Sequence, residues 1–347
     1  MKKHFQIGLI GYFAVGKSKA GGQEAKTCAI SRALQAHYPR PSLRKLDTGN
    51  WRKHPFKFFY NILYMICSCR ILLIFPAQRS VQVLAPLLVL AGKPLGRKLH
   101  YVVIGGWLPE MTARKKWLVY FLKKFDGIYV ETSSMKISLE KQGFTNVFIM
   151  PNFKDLSVLT VKDLIYTTQE PFAFCTFSRV MKEKGIEDAI HAITQLNTQA
   201  GRTVATLDIY GKIDDNYTEK FEKLKQTFPP YIYYKGIVSP SQSVKVLKNY
   251  FALLFPTYYE GEGFAGTLLD ALAAGIPVIA SDWKYNKEIV QDGKTGVVIH
   301  ASLLEEINRA ISNPSHFNVM KPLCLQEAQK YTPRGAIRPL LKHLTKR

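Results

Sequence analysis

The chain has 347 residues, 47% of them apolar and 21% charged, with a net charge of +22. That length favours two domains with sizeable cores, and the apolar content is ordinary for a globular protein. The five cysteines (Cys28, Cys67, Cys69, Cys175, Cys324) have neither disulfide-framework nor zinc-type spacing, which excludes a disulfide-stapled or zinc-held scaffold and points to a reducing cytoplasm.

The N-terminal residues run straight into a strand pattern, Phe5–Ile10, so no signal peptide is expected. Gly11-Tyr12-Phe13-Ala14-Val15-Gly16-Lys17-Ser18 follows and matches the P-loop pattern. A P-loop runs into its helix at Lys17-Ser18. Gly21-Gly22 would then fall within the first turns, where each Gly costs about 1 kcal/mol relative to Ala. A Gly-Gly loop followed by a helix over Gln23–Tyr38 fits better, with a P-loop NTPase or kinase as the alternative.

Further strands are expected at Leu43–Leu46, Ile71–Phe75, His100–Ile104, Ile128–Glu131 and Val147–Met150, with helices at Ser80–Leu90, Thr112–Lys124 and Ser133–Gln142. The most apolar stretch, Ile62–Phe75, is broken by Arg70 and is shorter than the roughly 20 residues a membrane span requires. Residues 1–150 hold 24 Lys+Arg against 6 Asp+Glu, a net +18, while residues 151–347 hold 24 against 20, a net +4. In the basic half, cations alternate with aromatics, as in Trp51–Tyr60 and in Arg114-Lys115-Lys116-Trp117 with Lys123-Lys124. An anionic lipid surface attracts such segments by about 1 kcal/mol per cation, and the aromatics suit the interface. Nucleic acid is the competing partner, but no nucleic-acid motif accompanies the charge. A merely basic soluble surface is the plain alternative.

Pro151-Asn152-Phe153 marks a break, and residues 154–170 read as an irregular linker. Strands then fit Phe172–Phe177, Val204–Tyr210, Tyr231–Lys235, Ala252–Phe255, Pro277–Ala280 and Val297–Ile299. Helices fit Gly185–Gln199, Tyr217–Thr227, Pro240–Asn249, Thr267–Ala274 and Leu303–Ser312. Such alternation predicts an α/β protein of parallel sheets with crossover helices, as two Rossmann-like domains over 1–152 and 153–330, with a tail over 331–347. Ligands then bind beyond the carboxyl ends of the strands, in a cleft that the two domains face.

Residues 260–270 read Glu-Gly-Glu-Gly-Phe-Ala-Gly-Thr-Leu-Leu-Asp. A Gly-rich loop carries Glu262, a helix begins near Gly266, and Asp270 follows eight positions after Glu262. Backbone N–H groups at a helix N-terminus suit a phosphate, and carboxylates suit sugar hydroxyls. The plain alternative is an ordinary helix start with two solvated acids. Upstream, Ser178-Arg179-Val180-Met181-Lys182-Glu183-Lys184-Gly185 sets two cations, Arg179 and Lys184, in a strand-to-helix loop, where they could neutralise a diphosphate without a metal. No Asp-X-Asp triplet occurs, and Asp214-Asp215 reads as a solvated turn.

This pattern resembles the acidic motif (Glu, seven residues, Glu) of retaining GT-B glycosyltransferases, in particular glycosyltransferase family 4 of the bacterial polysaccharide and capsule type. Ile209-Tyr210-Gly211, Lys235-Gly236-Ile237-Val238, Glu288 and Asp292-Gly293 extend the likeness over about 172–300. The resemblance implies a GT-B fold whose last helix, here Thr332–His343, crosses back onto the first domain. It implies that Glu262 meets the donor sugar, Asp270 the ribose, and Arg179 and Lys184 the diphosphate. It adds Gly22, Ile237, Phe264, Ala265, Gly266, Thr267 and Leu268 to the donor site, with Gly21, Gln23 and Trp107 on the acceptor side. Trp107 could equally be core. Two positions depart from the family pattern: Asp270 is one methylene shorter than the usual Glu, and Ala265 stands for a usual Gly. The implied activity is metal-independent transfer of a hexosyl-type sugar from a nucleotide sugar, a UDP-sugar rather than a GDP-sugar, with no further cofactor. The acceptor is a lipid-linked glycan at the inner face of the cell membrane, where the protein is peripheral. A non-catalytic nucleotide-sugar-binding protein of the same fold is the remaining alternative.

Overall fold

The computed structural model describes residues 5–13, 22–38, 42–49, 51 and 53–345. They form two compact units, Met1–Asp155 with Pro333–Arg347, and Leu156–Thr332.

The first unit holds six parallel strands: β1 (Phe5–Gly11), β2 (Leu43–Asp47), β3 (Cys69–Phe75), β4 (Lys98–Val102), β5 (Gly127–Val130) and β6 (Val147–Ile149), in the order β2-β1-β3-β4-β5-β6. Its helices are α1 (Gly22–His37), α2 (Pro55–Ser68), α3 (Val81–Gly92), α4 (Leu108–Arg114), α5 (Lys116–Leu122) and α6 (Ser133–Glu140). The chain steps one way from β1 to β2 and the other way at every later connection. Right-handed crossovers therefore put α1 on one face of the sheet and α2 to α6 on the other. Ile30 and Leu34 of α1 accordingly share a core cluster with Ile7, Leu9, Ile71 and Leu73, and the same cluster includes Ile337, Leu340 and Leu344 of the C-terminal segment.

The second unit has β7 (Phe172–Phe177), β8 (Ala205–Tyr210), β9 (Ile232–Gly236), β10 (Ala252–Phe255), β11 (Val278–Ser281) and β12 (Gly296–Ile299), all parallel, in the order β12-β11-β10-β7-β8-β9. Its helices are α7 (Ile186–Ala200), α8 (Thr218–Lys225), α9 (Ser243–Leu247), α10 (Gly266–Ala273), α11 (Asn286–Ile289), α12 (Leu303–Ser312) and α13 (Pro314–Ala328). Then α14 (Pro333–Ala336) and α15 (Arg338–Thr345) return to the first unit. Strand order reverses between β7 and β10, and in such sheets ligands bind outside the carboxyl ends of the strands at that reversal.

Several local expectations are corrected. Pro55–Ser68, for which no helix is expected, is helical: it buries Ile62, Met65 and Ile66 and leaves Phe56, Tyr60 and Leu63 exposed. The single helix expected over Thr112–Lys124 is two, broken at Lys115, whose φ of −118° and ψ of 76° leave the helical region. Strand β4 begins two residues before the expected His100, so His100 lies within it. The expected helix over Pro240–Asn249 contracts to Ser243–Leu247. Helix α13 carries an internal Pro322, which hides it from a reading of periodicity. The segment 154–170 is irregular but tied down: Leu159 N–H donates to Ala273 O at 3.0 Å, and Thr167 and Asn318 exchange two hydrogen bonds.

His100 is almost wholly buried and pairs through Nδ1 with the Tyr129 hydroxyl at 3.2 Å. Burial lowers its pKa to about 4, and the weaker influences are Asp126, which raises it, and His343, Lys93 and Lys98, which lower it. The folded state thus binds fewer protons than the unfolded chain between about pH 6.5 and 4. Stability is full above that window and declines as pH falls through it, by on the order of 3 kcal/mol. Urea unfolding at stepped pH checks this, and His100→Gln should flatten that part of the profile.

Candidate functional site

The loop after β7 and the loop after β10 meet at the strand-order reversal. Lys184 comes from the first and Glu262 from the second, and their side chains form an ion pair, both nearly buried. Two aromatic rings cover the ammonium, Tyr259 at 5.0 Å and Phe255 at 5.7 Å from the ring centroids. The Thr257 hydroxyl lies 2.9 Å from the same Glu262 oxygen that Lys184 meets and 3.2 Å from Glu183 O. It has one proton to give, so it donates to one of the two at a time.

Gly185 makes this approach possible. Its φ is +69°, and a Cβ there would stand 2.3 Å from the carbonyl oxygen of Pro256. The β10–α10 loop is pinned from its other side. Ser281 Oγ donates to Thr257 O at 2.5 Å, Trp283 Nε1 donates to Tyr259 O at 2.8 Å, and Lys284 pairs with Glu260 at 2.8 Å. Lys284 adopts φ +50°, a left-handed conformation uncommon for a side-chain-bearing residue. Thr257, Tyr259, Trp283 and Lys284 carry no motif. Their only sequence signal is position just after a strand.

Arg179 points elsewhere in the same rim. It is half-exposed and pairs with Asp214 at 3.1 Å. This contact holds the Asp214 carboxyl below its usual range, and Asp214 opens the expected turn, its O accepting from Tyr217 N–H at 2.9 Å, while also pairing with Arg179. Helix α10 starts at Gly266 after Ala265, and Ala265 caps it with no side-chain bond. Leu268 N–H is already taken by Ala265 O at 3.1 Å, so of the three residues expected to offer N–H groups only Gly266 and Thr267 remain candidates. The Thr267 hydroxyl is buried without a hydrogen-bond partner among the described residues. Asp270 lies one turn further along the same side of α10, is buried, and accepts from the Ser243 hydroxyl at 2.9 Å. Phe264 is buried edge-on to Tyr331, with centroids 4.9 Å apart. Ile237, just after β9, is 70% exposed.

In the first unit, Gln23 sits in the first turn of α1 and donates from Nε2 to Phe75 O at 3.2 Å, at the end of β3. Gly22 begins that helix. Trp107 is half-buried ahead of α4, with its indole N–H given to Ile104 O at 2.9 Å. Gly21 and Ala14–Ser18, which include most of the P-loop-like run, lie outside the described residues. Sequence reasoning missed Lys26, which is buried, pairs with Glu131 at 2.5 Å and reaches Val103 O at 3.4 Å, at the carboxyl ends of β4 and β5.

A buried ion pair is costly to break from one side only. Lys184→Met should lower the unfolding free energy by about 3 kcal/mol or more, and Lys184→Met with Glu262→Leu should recover most of that loss in the same denaturant titration.

Comparison with known proteins adds to this geometry. A curated relative in Streptococcus gordonii, the UDP-N-acetylglucosamine–peptide N-acetylglucosaminyltransferase GtfA subunit, is 31% identical over 52% of this chain and 35% of its own length. The chain thus spans about a third of that relative. The uncharacterized glycosyltransferase MJ1069 of Methanocaldococcus jannaschii is 26% identical over 68% of this chain and 63% of its own. Among solved structures, Anabaena Alr3699/HepE in complex with UDP superposes with a TM-score of 0.76 over 98% of this chain and 100% of its own at 14% identity, a likeness of fold. These matches do not favour the P-loop alternative. Residues 166–322, which include Arg179, Lys184, Glu262 and Asp270, match the family of glycosyl transferases group 1, within a chain of GT-B fold.

Proposed function

We propose that the chain is a retaining, metal-independent glycosyltransferase of family 4 type that takes a hexosyl-type sugar from a UDP-sugar. The observation that carries this is the buried Lys184–Glu262 pair at the strand-order reversal, inside the segment matching glycosyl transferases group 1. Lys184 has three N–H donors and spends one on Glu262, which leaves two for a phosphate oxygen. Arg179, exchanging Asp214 for the donor, supplies a planar fork to the same diphosphate. The N–H groups of Gly266 and Thr267 add the positive end of a helix dipole. Together they stabilise the negative charge that grows on the departing UDP, and electrostatic stabilisation of this kind commonly contributes most to the rate. Glu262 orients the sugar and supports positive charge on its ring, while Asp270 and Ile237 serve the nucleoside, and the acceptor attacks from the face the diphosphate leaves.

The acceptor we propose is a lipid-linked glycan of polysaccharide or capsule assembly, met by Gln23 and Trp107 at a cytoplasmic membrane face to which the protein is peripherally bound. The +18 charge of residues 1–150 supports it. The streptococcal relatives are named for a peptide acceptor, which makes a polypeptide the competing substrate.

UDP should raise the melting temperature more than GDP at equal concentration, because only a native-state ligand stabilises by mass action. Glu262→Gln should lower UDP-sugar turnover by about 100-fold or more, with EDTA without effect. Near-normal turnover of Glu262→Gln would sink the assignment. ATP or GTP hydrolysis abolished by Lys17→Ala would restore the P-loop alternative.

A further inference from the structure

Helix α2 is apolar on two opposite sides. Ile62, Met65 and Ile66 are buried, while Phe56, Tyr60 and Leu63, at helical spacing i, i+4, i+7, face outward with Phe56 90% exposed. A surface helix normally turns polar residues outward, yet Pro55–Ser68 carries one charge, Lys57. Helix α3 packs beside it, has no charged residue in Val81–Gly92, and exposes Val83 and Leu90, seven positions apart. Helix α5 borders α3 and exposes Trp117 and Tyr120. All three lie on the same face of the first sheet, so their outer surfaces form one layer.

The charge around this layer has one sign. No Asp or Glu occurs between Asp47 and Glu110, nor between Glu110 and Asp126. Exposed Lys53, Lys57, Lys116, Lys123 and Lys124 belong to the same helices or their ends, and Lys124 lies 5.4 Å from the Tyr120 ring centroid. Such a surface repels a second copy of itself and is complementary to an anionic one. No helix among the described residues is long and apolar enough to cross a membrane, which leaves a helix lying in the interface plane.

We propose that the outer face of α2, α3 and α5 docks on an anionic lipid bilayer. Phe56, Tyr60, Leu63, Val83, Leu90 and Trp117 enter the boundary between headgroups and acyl chains, and the surrounding lysines meet the lipid phosphates. This deepens the membrane part of the proposed function and rests on that reading for its purpose, though not for its physics.

Flotation with vesicles of phosphatidylglycerol and phosphatidylcholine tests it, with phosphatidylcholine alone as the control. The protein should float with the anionic vesicles at low salt and at least tenfold less with the neutral ones, and its tryptophan emission should shift to the blue. Phe56→Ser/Leu63→Ser/Leu90→Ser should reduce the floated fraction at least tenfold while keeping a cooperative melt, since all three side chains are exposed. A second variant, Lys116→Glu/Lys123→Glu/Lys124→Glu, should do the same at low salt. Failure to float, or flotation unchanged by both variants, overturns the proposal. A dimer in solution that the serine substitutions dissolve also overturns it. UDP-sugar hydrolysis measured on the same samples separates the two readings. Hydrolysis without flotation removes only this inference, and flotation without hydrolysis leaves it standing and removes the transferase assignment.

Discussion

A carboxylate buried as deeply as Glu262 costs several kcal/mol unless a cation and hydrogen bonds meet it. Lys184 and Thr257 meet it here. The pair joins two loops that are 78 residues apart in sequence, and only the reversed strand order of the second sheet brings them side by side. Much of the site follows from that constraint. Gly185 is tolerated, with its left-handed backbone, because a side chain there would collide with Pro256 and part the two loops. The β10–α10 loop is held by Ser281 and Trp283 because Glu262 has to arrive at one depth. An ammonium with spare donors, already desolvated beneath two rings, is also a ready partner for a second anion.

The first unit solves a similar problem. Lys26 and Glu131 form a buried pair at the carboxyl edge of its sheet. Both units therefore set an oppositely charged pair where parallel strands end. They differ at the surface. The first combines a strong positive charge with three helices, α2, α3 and α5, that expose apolar side chains, whereas the second interleaves acids and bases, as in α8 and α12.

The sequence by itself determined the parallel α/β class, because short apolar runs alternating with helical spacing admit few other arrangements. It determined the two-unit organisation of charge, since net charge needs no coordinates. It also brought Glu262, Lys184 and Asp270 to attention, because strand-to-helix loops and the spacing of an acid along the helix that follows are local features. Less legible were elements that break periodicity for a reason. Helix α2 carries a single charge, Lys57, α13 contains Pro322, and α4 and α5 part at Lys115.

Tertiary structure alone decided which charges pair. Arg179 and Lys184 lie five positions apart and look equivalent in sequence, yet one reaches Asp214 and the other Glu262. Likewise packing against the sheet assigned Ile62, Met65 and Ile66 of α2 to the core and left Phe56, Tyr60 and Leu63 outside. Both outcomes depend on contacts between segments distant in the chain. Local spacing fixes which way a side chain points from its own backbone, but strand order and crossover hand decide what it meets.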